Sequence, residues 1–341
     1  MDKNIDSRLS KRMLAVADMV RNCKYHKVRT NGRDICVEES AGESVSAEKS
    51  TVDNSAGESV SAGSNFVEKS AGESASAGSN FVENSAGESV SAEKCSVENS
   101  TRRGRTGFRV ADIGCDHAFV SIYLVQHKIA DRVIAADVNP GPLETARKNI
   151  ESYGLCVSDA GENIDNRIDI RLSNGFEKIK KGETDAAVIA GMGGKLIISI
   201  ISAADVWVPG YKLVLSPQSD VPEVRLYLLD NGFKIIDEDM VCEDGKYYNI
   251  ICAEYYNPDD NDSNELPFKM TFEADRAMIM KYGEILIQKK NPVFIENLER
   301  RKNALRGICQ NLSEPCSELA ARRHDEVKKE LEEIDRILHL I

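Results

Sequence analysis

The sequence predicts an α/β fold: a doubly wound, mostly parallel sheet closed by an antiparallel pair, followed by an antiparallel helical hairpin and interrupted near its start by a disordered repeat insertion. Three observations carry that prediction. Short runs rich in Val, Ile and Ala alternate with segments of helical period between Arg109 and Glu254, the pattern of strands and crossover helices taken in turn. Apolar residues recur at three-, four- and seven-residue spacing from Phe294 to Ile341, as two helices that zip together require. Residues 40–99 are four copies of a 15-residue unit, with little in them that a core can use.

The 341 residues allow two domains, and a hydrophobic content of 41% is ordinary for a globular chain. No apolar segment follows Met1 as in a secretory leader, and no run approaches the ~18 residues of a membrane span. The expected location is therefore the cytoplasm, with no membrane partner. The nine cysteines (23, 36, 95, 115, 156, 242, 252, 309 and 316) are odd in number, scattered and without a C-x-x-C pair, and the five histidines show no H-x-x-x-H spacing. That argues against a disulfide framework and against a metal site, so the thiols are expected to be reduced packing residues. Oligomeric state is left open, a monomer included.

The first element is a short amphipathic helix through Leu9, Met13, Val16 and Val20, with Ser10 as its candidate N-cap. A low-complexity insertion then occupies 35–104. Its repeats begin at Ser40, Ser55, Ser70 and Ser85 with S-A-G-E-S-[VA]-S-A, and a period of 15 matches no architecture in which repeats stack a shared core. Because the insertion separates the first helix from a strand that runs into Gly114, it interrupts a domain rather than joining two. Closing so long a surface loop costs roughly 2–3 kcal/mol more than closing a short one, which a domain survives. The repeats hold ten acids against three bases, more than half of the net charge of −12, whereas residues 1–34 hold nine Lys and Arg against four Asp, and Thr101–Arg109 adds four arginines. An acidic total thus conceals two basic segments. Each reads either as a solvated face or as part of a surface for a polyanion.

Beyond the insertion come a strand from Arg109 to Ile113, a helix through Leu124, a strand Arg132–Asp137, a helix Leu143–Ser152 and a strand Ile168–Leu172, which is a βαβαβ unit. Apolar runs at Ala186–Ala190 and Lys212–Leu215 are followed by a helix near Val221–Asn231 and by strands around Phe233–Asp237 and Tyr247–Glu254. In such sheets ligands bind at the C-terminal strand ends.

Those ends carry G-F-R-V-A-D-I-G-C-D-H-A, residues 107–118, where acid replaces the glycines of a dinucleotide fingerprint. Asp112 and Gly114 end the first strand and Asp137 ends the second, at about the offset from which an acid reaches ribose hydroxyls. Pyrophosphate needs bare amides at the helix start, and a carboxylate at Asp116 repels it. A cofactor with a cation in that place suits the site better, and S-adenosylmethionine has ribose, a sulfonium and an ammonium but no phosphate. Asp116 reads equally as an N-cap for a helix whose first turn is His117, Ala118 and Phe119, and His117 as a solvent-facing residue. R-L-S-N-G-F, 171–176, places Asn174 at the third strand end, able to bond an adenine edge, and Gly175, which lets backbone close over the ring. A-G-M-G-G, 190–194, brings Gly191, Met192, Gly193 and Gly194 to the next strand end, where glycine means close approach, positive φ or a tight helix entry. The Asp/Asn-Pro-Pro-aromatic motif of methylases acting on exocyclic amines does not occur there.

Taken together, ADIGCDHA (111–118), Gly141-Pro142, SNG (173–175), AGMGG (190–194), SPQSD (216–220) and DNGFKIIDEDMVCEDGKYYNII (230–251) resemble the bacterial TrmK family, tRNA (adenine-N1)-methyltransferases acting at position 22. The resemblance runs from Leu9 to the end, apart from roughly 31–104. It implies a Rossmann-like S-adenosylmethionine-dependent methyltransferase domain over 1–256, a C-terminal helical coiled-coil domain over 257–341, and tRNA as partner. It further implies that Asp112, Gly114, Asp116 and His117 line the methionine end of the cofactor, with Asp137 and Asn174 at its adenosine; Gly175 joins them as a cofactor-binding candidate on the strand-end reading above. Gly191, Met192, Gly193, Gly194, Pro217 and Gln218 are then candidates for the substrate pocket, with no general base named. The repeats are foreign to the family pattern, and Ser216 stands where a glutamine is expected before the proline. Two other classes stay open on the residues alone: a methyltransferase of small molecules or protein, and a nucleotide-binding module without catalysis.

The last segment supports an RNA partner separately. Phe294, Leu298, Leu305, Ile308 and Leu312 form one stripe and Val327, Leu331, Ile334, Leu338 and Ile341 another, with a break at Ser313–Pro315. Between Lys281 and Arg306 seven bases face three acids, the sign suited to phosphate, although ordinary on a coiled coil.

Overall fold

The computed structural model describes residues 5–30, 33–38, 107–155, 157–159, 167–256, 276–311 and 317–341. The repeats at 40–99, Leu312 and the helix break at Ser313–Pro315 lie outside these residues, whereas residues 35–38, assigned by composition to the disordered insertion, belong to a strand. Helix α1 (Lys11–Lys24) leads into a two-stranded antiparallel hairpin of β1 (Tyr25–Thr30) and β2 (Arg33–Glu38). After the insertion come β3 (Arg109–Ile113), α2 (Phe119–Gln126), β4 (Arg132–Asp137), α3 (Pro140–Ser152), β5 (Val157–Asp159) and β6 (Ile168–Leu172). The sheet continues with β7 (Ala186–Ala190), α4 (Gly194–Ser202), β8 (Lys212–Ser216), α5 (Val221–Asp230), β9 (Phe233–Glu243) and β10 (Lys246–Tyr255). Four helices follow: α6 (Arg276–Tyr282), α7 (Glu284–Gln288), α8 (Pro292–Asn311) and α9 (Glu318–Leu340).

The main sheet has eight strands in the order β5-β6-β4-β3-β7-β8-β10-β9. From β5 to β8 the pairing is parallel, while β10 is antiparallel to both β8 and β9. Alternation along the strands explains the two layers of helix. Val110, Val133, Ala135, Ile168 and Val188 face one side and pack with Val16 and Val20 of α1, Ile122 of α2 and Ile150 of α3. Ala111, Ile134, Ala187, Ile189 and Leu213 face the other and pack with Ile197 and Ile201 of α4 and Val224 and Leu228 of α5. Helix α1, which precedes the insertion, is thus part of the same core as the strands that follow it. Its start is fixed by Ser10, whose Oγ accepts the Met13 N–H at 3.3 Å, the expected cap.

The C-terminal helices have their own core, in which Phe294, Leu298 and Leu305 of α8 meet Val327, Ile334 and Ile337 of α9 over Met240 of β9. Contacts at Arg301–Glu330 and, two turns further along α8, Cys309–His324 run α8 and α9 antiparallel. Ile308, expected in the seam, is 38% exposed, and at that turn of α8 Cys309 packs against the core in its place. A second join is electrostatic. Arg225 of α5 is 1% exposed and donates from Nε to Glu238 Oε1 at 2.7 Å, and from Nη1 to the carbonyls of Met280 and Lys281 at 2.8 and 3.1 Å. It therefore ties α5, β9 and the end of α6 together through one guanidinium.

Candidate functional site

The chain reverses at β3, which has β4 on one side and β7 on the other, and a crevice opens at such a switch point. Here it is a cleft of about 520 Å³ lined by the turns after β3, β4, β6 and β7 and by Arg12 and Met13 of α1.

Each wall follows from a local rule. Asp112 occupies a core-facing position on β3, the same side as Val110, so its carboxylate is carried beneath α2. There Ser121 Oγ donates to it at 2.6 Å. Burial raises its pKa to about 6, against the lowering effect of the Ser121 bonds, and the charge of Asp137 adds a smaller push upward. Burial, and then the neighbouring Asp112, push the Cys115 thiol up as well. At Gly114 the chain turns with φ +72°, and a Cβ there would overlap Met192 Cε, so the turns after β3 and β7 nest. The N–H groups of Gly114 and Cys115 both donate to the Ala136 carbonyl, at 2.8 and 3.0 Å. The amides that cradle phosphate in a dinucleotide site are here used within the fold.

The N-cap reading of Asp116 is corrected by the backbone. Helix α2 begins at Phe119, its N-cap position is Ala118 in the left-handed region, and no side chain caps it. Asp116 itself has φ +48° and Ala118 φ +58°; two non-glycine residues in that region carry strain of order 1 kcal/mol each. The consequence is that Asp116, 67% exposed, and His117, 48% exposed, project at the cleft with His117 Nε2 3.5 Å from the Asp116 carboxylate. Asp137 holds the neighbouring turns: Oδ1 accepts the Asn139 N–H at 2.9 Å and Oδ2 the Asp116 N–H at 3.4 Å. Three carboxylates, Asp112, Asp116 and Asp137, thus line one end.

Asn174 and Gly175 also line the cleft, with Asn174 Nδ2 donating to Glu177 at 2.8 Å. On the side of β7 and β8, Gly191, Met192 and Gln218 line it, the Gln218 N–H donating to the Met192 carbonyl at 2.9 Å. Gly193, Gly194 and Pro217 do not. Gly194 serves packing: its N–H donates to the Ser219 carbonyl at 3.1 Å, and a Cβ would collide with that carbonyl. The glycines of A-G-M-G-G therefore divide between a positive-φ turn at Gly191 and a tight helix entry at Gly194. Ser216 is fully buried at the end of β8 and outside the cleft.

Sequence reasoning missed Arg12 and Ser121. Arg12 lies on a helix whose apolar spacing reads as core, and Ser121 is one serine inside an apolar helix; only the side-by-side placement of α1, α2 and β3 gives either a role. Among the described residues no cluster of His, Cys, Asp and Glu is arranged to hold a metal ion, and no helix is long and apolar enough to cross a membrane.

Residues 110–336 match the family model TrmK, described as tRNA (adenine(22)-N(1))-methyltransferase. The Bacillus subtilis (strain 168) protein named tRNA (adenine(22)-N(1))-methyltransferase is 32% identical over 209 residues, spanning 61% of this chain and 80% of its own. Two solved structures share the fold and more than a fifth of their residues. The Bacillus subtilis m1A22 tRNA methyltransferase TrmK superposes with a TM-score of 0.53 at 28% identity, covering 71% of this chain and 96% of that one. Mycoplasma capricolum TrmK, in complex with the cofactor product S-adenosylhomocysteine, superposes with a TM-score of 0.52 at 25% identity, covering 72% of this chain and 97% of that one.

Proposed function

Because the chain belongs to the TrmK family of tRNA (adenine(22)-N(1))-methyltransferases, we propose that it methylates N1 of an adenine in tRNA, at position 22, with S-adenosylmethionine as methyl donor. The observation that carries the reading is the strand-end cleft itself, where Asp112, Asp116 and Asp137 gather while the Gly114 and Cys115 amides are already bonded to Ala136. That set fits a ligand with hydroxyls and positive charge, and it does not fit a pyrophosphate.

S-adenosylmethionine supplies an electrophilic methyl on a sulfonium when bound. In this reading Asp112, Gly114, Asp116 and His117 take its amino-acid end, while Asp137, Asn174 and Gly175 take the ribose and adenine. Gly191, Met192 and Gln218 face the incoming base. Adenine N1 has an in-plane lone pair, so no side chain has to remove a proton before attack, and the work left to the protein is positioning. A cleft of backbone turns and fixed carboxylates suits that task. The target base must leave its stack to enter, and phosphate contacts elsewhere offset the disruption. We assign the methyltransferase domain to 1–256 and the helical domain to 257–341, and place the enzyme in the cytoplasm, where its substrate is processed.

Two measurements test this. Incubation with labelled S-adenosylmethionine and tRNA should leave one methyl on an adenine N1, which blocks the Watson–Crick edge and stops reverse transcription at that base. Methyl on an exocyclic amine, or on protein alone, overturns it. Calorimetry should show Asp137→Ala weakening S-adenosylmethionine by roughly 1.5–3 kcal/mol, the scale of a lost charge-assisted hydrogen bond; unchanged affinity removes Asp137 from the site.

A further inference from the structure

The core brings two thiols together from distant parts of the chain. Cys23 lies in the last turn of α1 and Cys252 on β10, 4% and 1% exposed. Their Sγ atoms are 2.8 Å apart, and a disulfide bond needs about 2.05 Å, so a movement of under about 1 Å joins them. Neither cysteine lines the cleft. Cys23 also precedes residues 110–336, which match the family model. The insertion lies between the two thiols in the chain, and the contacts that hold α1 against the sheet are largely apolar, with Val16, Ala17 and Val20 in the core.

We infer that Cys23 and Cys252 are a modification site: on exposure to a peroxide they form a reversible disulfide that staples α1 to β10. In the first step Cys23 Sγ, as its thiolate, attacks one peroxide oxygen. The O–O bond breaks, the released hydroxide takes up the thiol proton as water, and Cys23 becomes a sulfenic acid. In the second step Cys252 Sγ displaces that hydroxyl, so the S–S bond forms and a second water leaves. Two thiols and one peroxide thus give one disulfide and two waters, and a thiol reductant reverses the change. Cys23 is the entry point, because the end of a helix frays more readily than the interior of a sheet. The contact with Cys23, and then burial, push the Cys252 thiol up, which keeps Cys252 protonated until the sulfenic acid stands beside it. The bond closes a loop that runs through the insertion, and a longer closed loop removes more freedom from the unfolded chain. It also holds in place the helix that supplies Arg12 and Met13 to the cleft.

The test uses the full chain, reduced and then treated with hydrogen peroxide, alkylated in denaturant and digested without reductant for mass spectrometry. The Cys23 and Cys252 peptides should appear joined in at least about half of the molecules and separate again with dithiothreitol. The oxidised protein should melt about 4 °C or more above the reduced one. Cys23→Ser and Cys252→Ser should each abolish both the joined peptide and the peroxide-dependent gain in melting temperature. Peptides that remain singly alkylated overturn the inference, as do sulfinic acids in place of the joined form or a linkage of either thiol mainly to another cysteine. A joined pair with an unchanged or lowered melting temperature overturns the staple. The peptide readout comes from wild type, so it decides the pairing even where a serine variant fails to fold.

Discussion

The cleft and the C-terminal hairpin place their charges in opposite ways. At the cleft three carboxylates, Asp112, Asp116 and Asp137, are gathered, and Arg12 is the one Lys or Arg among the described lining residues. On the hairpin charge is met by charge: Arg301 forks onto Glu330, Lys302 meets Asp335, Lys281 reaches Glu333, and Lys289 reaches Asp237 of β9. Four of the seven bases counted between Lys281 and Arg306 are therefore already in ion pairs. A tally along the chain cannot see this, because the acids come from elsewhere in the fold. The difference teaches where an ionic ligand gains most. A concentration of like charge held by strained turns binds its counter-ion as part of completing the structure, while a self-paired surface has to break contacts before it makes new ones.

The largest expected effect lies where the sheet meets the C-terminal helices. Arg225 and Glu238 are each 2% exposed at the side chain, and removing one partner from such a pair leaves a buried charge alone. Arg225→Ala should cost about 3–5 kcal/mol of stability in urea unfolding. The paired change of Arg225→Met with Glu238→Leu should recover only part of that, since it removes both charges but leaves the Met280 and Lys281 carbonyls without their donor. A loss below about 1 kcal/mol for the single change would show that the hairpin is held by its apolar core alone.

A second prediction sharpens the cleft side. The folded pKa of Asp112 is raised to about 6, above its ordinary value of 3.8, chiefly by burial. A raised carboxyl stabilises the fold when protonated, so its contribution is fully present below about pH 4 and is lost as pH rises through about 6. Above that the ligand-free protein holds an ionised, desolvated carboxylate. Asp112→Asn should therefore leave stability nearly unchanged at pH 4 and raise it at pH 7.5, by no more than about 3 kcal/mol. The same change should remove the gain in S-adenosylmethionine affinity that wild type shows between pH 5 and 7. A difference in melting temperature that does not vary with pH would mean that Asp112 titrates in the ordinary range and has no such role.

Much of this was legible in the sequence where the signal is local. The strands at 109–113, 132–137 and 186–190 are built mostly of β-branched and small apolar residues, as doubly covered parallel strands require, while the strand at 168–172 alternates apolar and charged residues. Asp112, Gly114 and Asp137 follow from strand ends and offset. What escaped is non-local or runs against a rule. The β1–β2 hairpin hides in charged sequence, although the Asn31-Gly32 dipeptide between its strands is a strong turn signal. Its second strand includes residues 35–38, inside the span that composition gave to the insertion. Strand β5 is three residues long, below what periodicity detects. Ala118 at a helix N-cap, with left-handed φ, contradicts the preference that pointed to Asp116. Arg225 reads in sequence as an ordinary helix base, and its burial depends on an acid and two carbonyls 13, 55 and 56 residues away.

The smallest effect is the one that isolates the hairpin. Arg301 donates from Nε and Nη2 to the two Glu330 oxygens at 3.0 and 3.1 Å, with half of its side chain exposed. An exposed pair of that kind is worth about 0.2–1 kcal/mol, because solvent screens it and two long side chains lose freedom. Arg301→Ala should accordingly move the melting temperature by only a few degrees, with the shift fading in high salt. Its effect on tRNA is more informative. If Glu330 keeps Arg301 engaged in the complex, the slope of log affinity against log salt should not change; if Arg301 is released to a phosphate, the slope should fall by roughly 0.7–0.9. The geometry favours no change, because a bidentate contact must be given up to form a monodentate or bidentate one of similar strength. A measured fall of that size would place Arg301 on the tRNA, and would mean that paired charges on the hairpin serve as a reserve for the substrate rather than as a closed network.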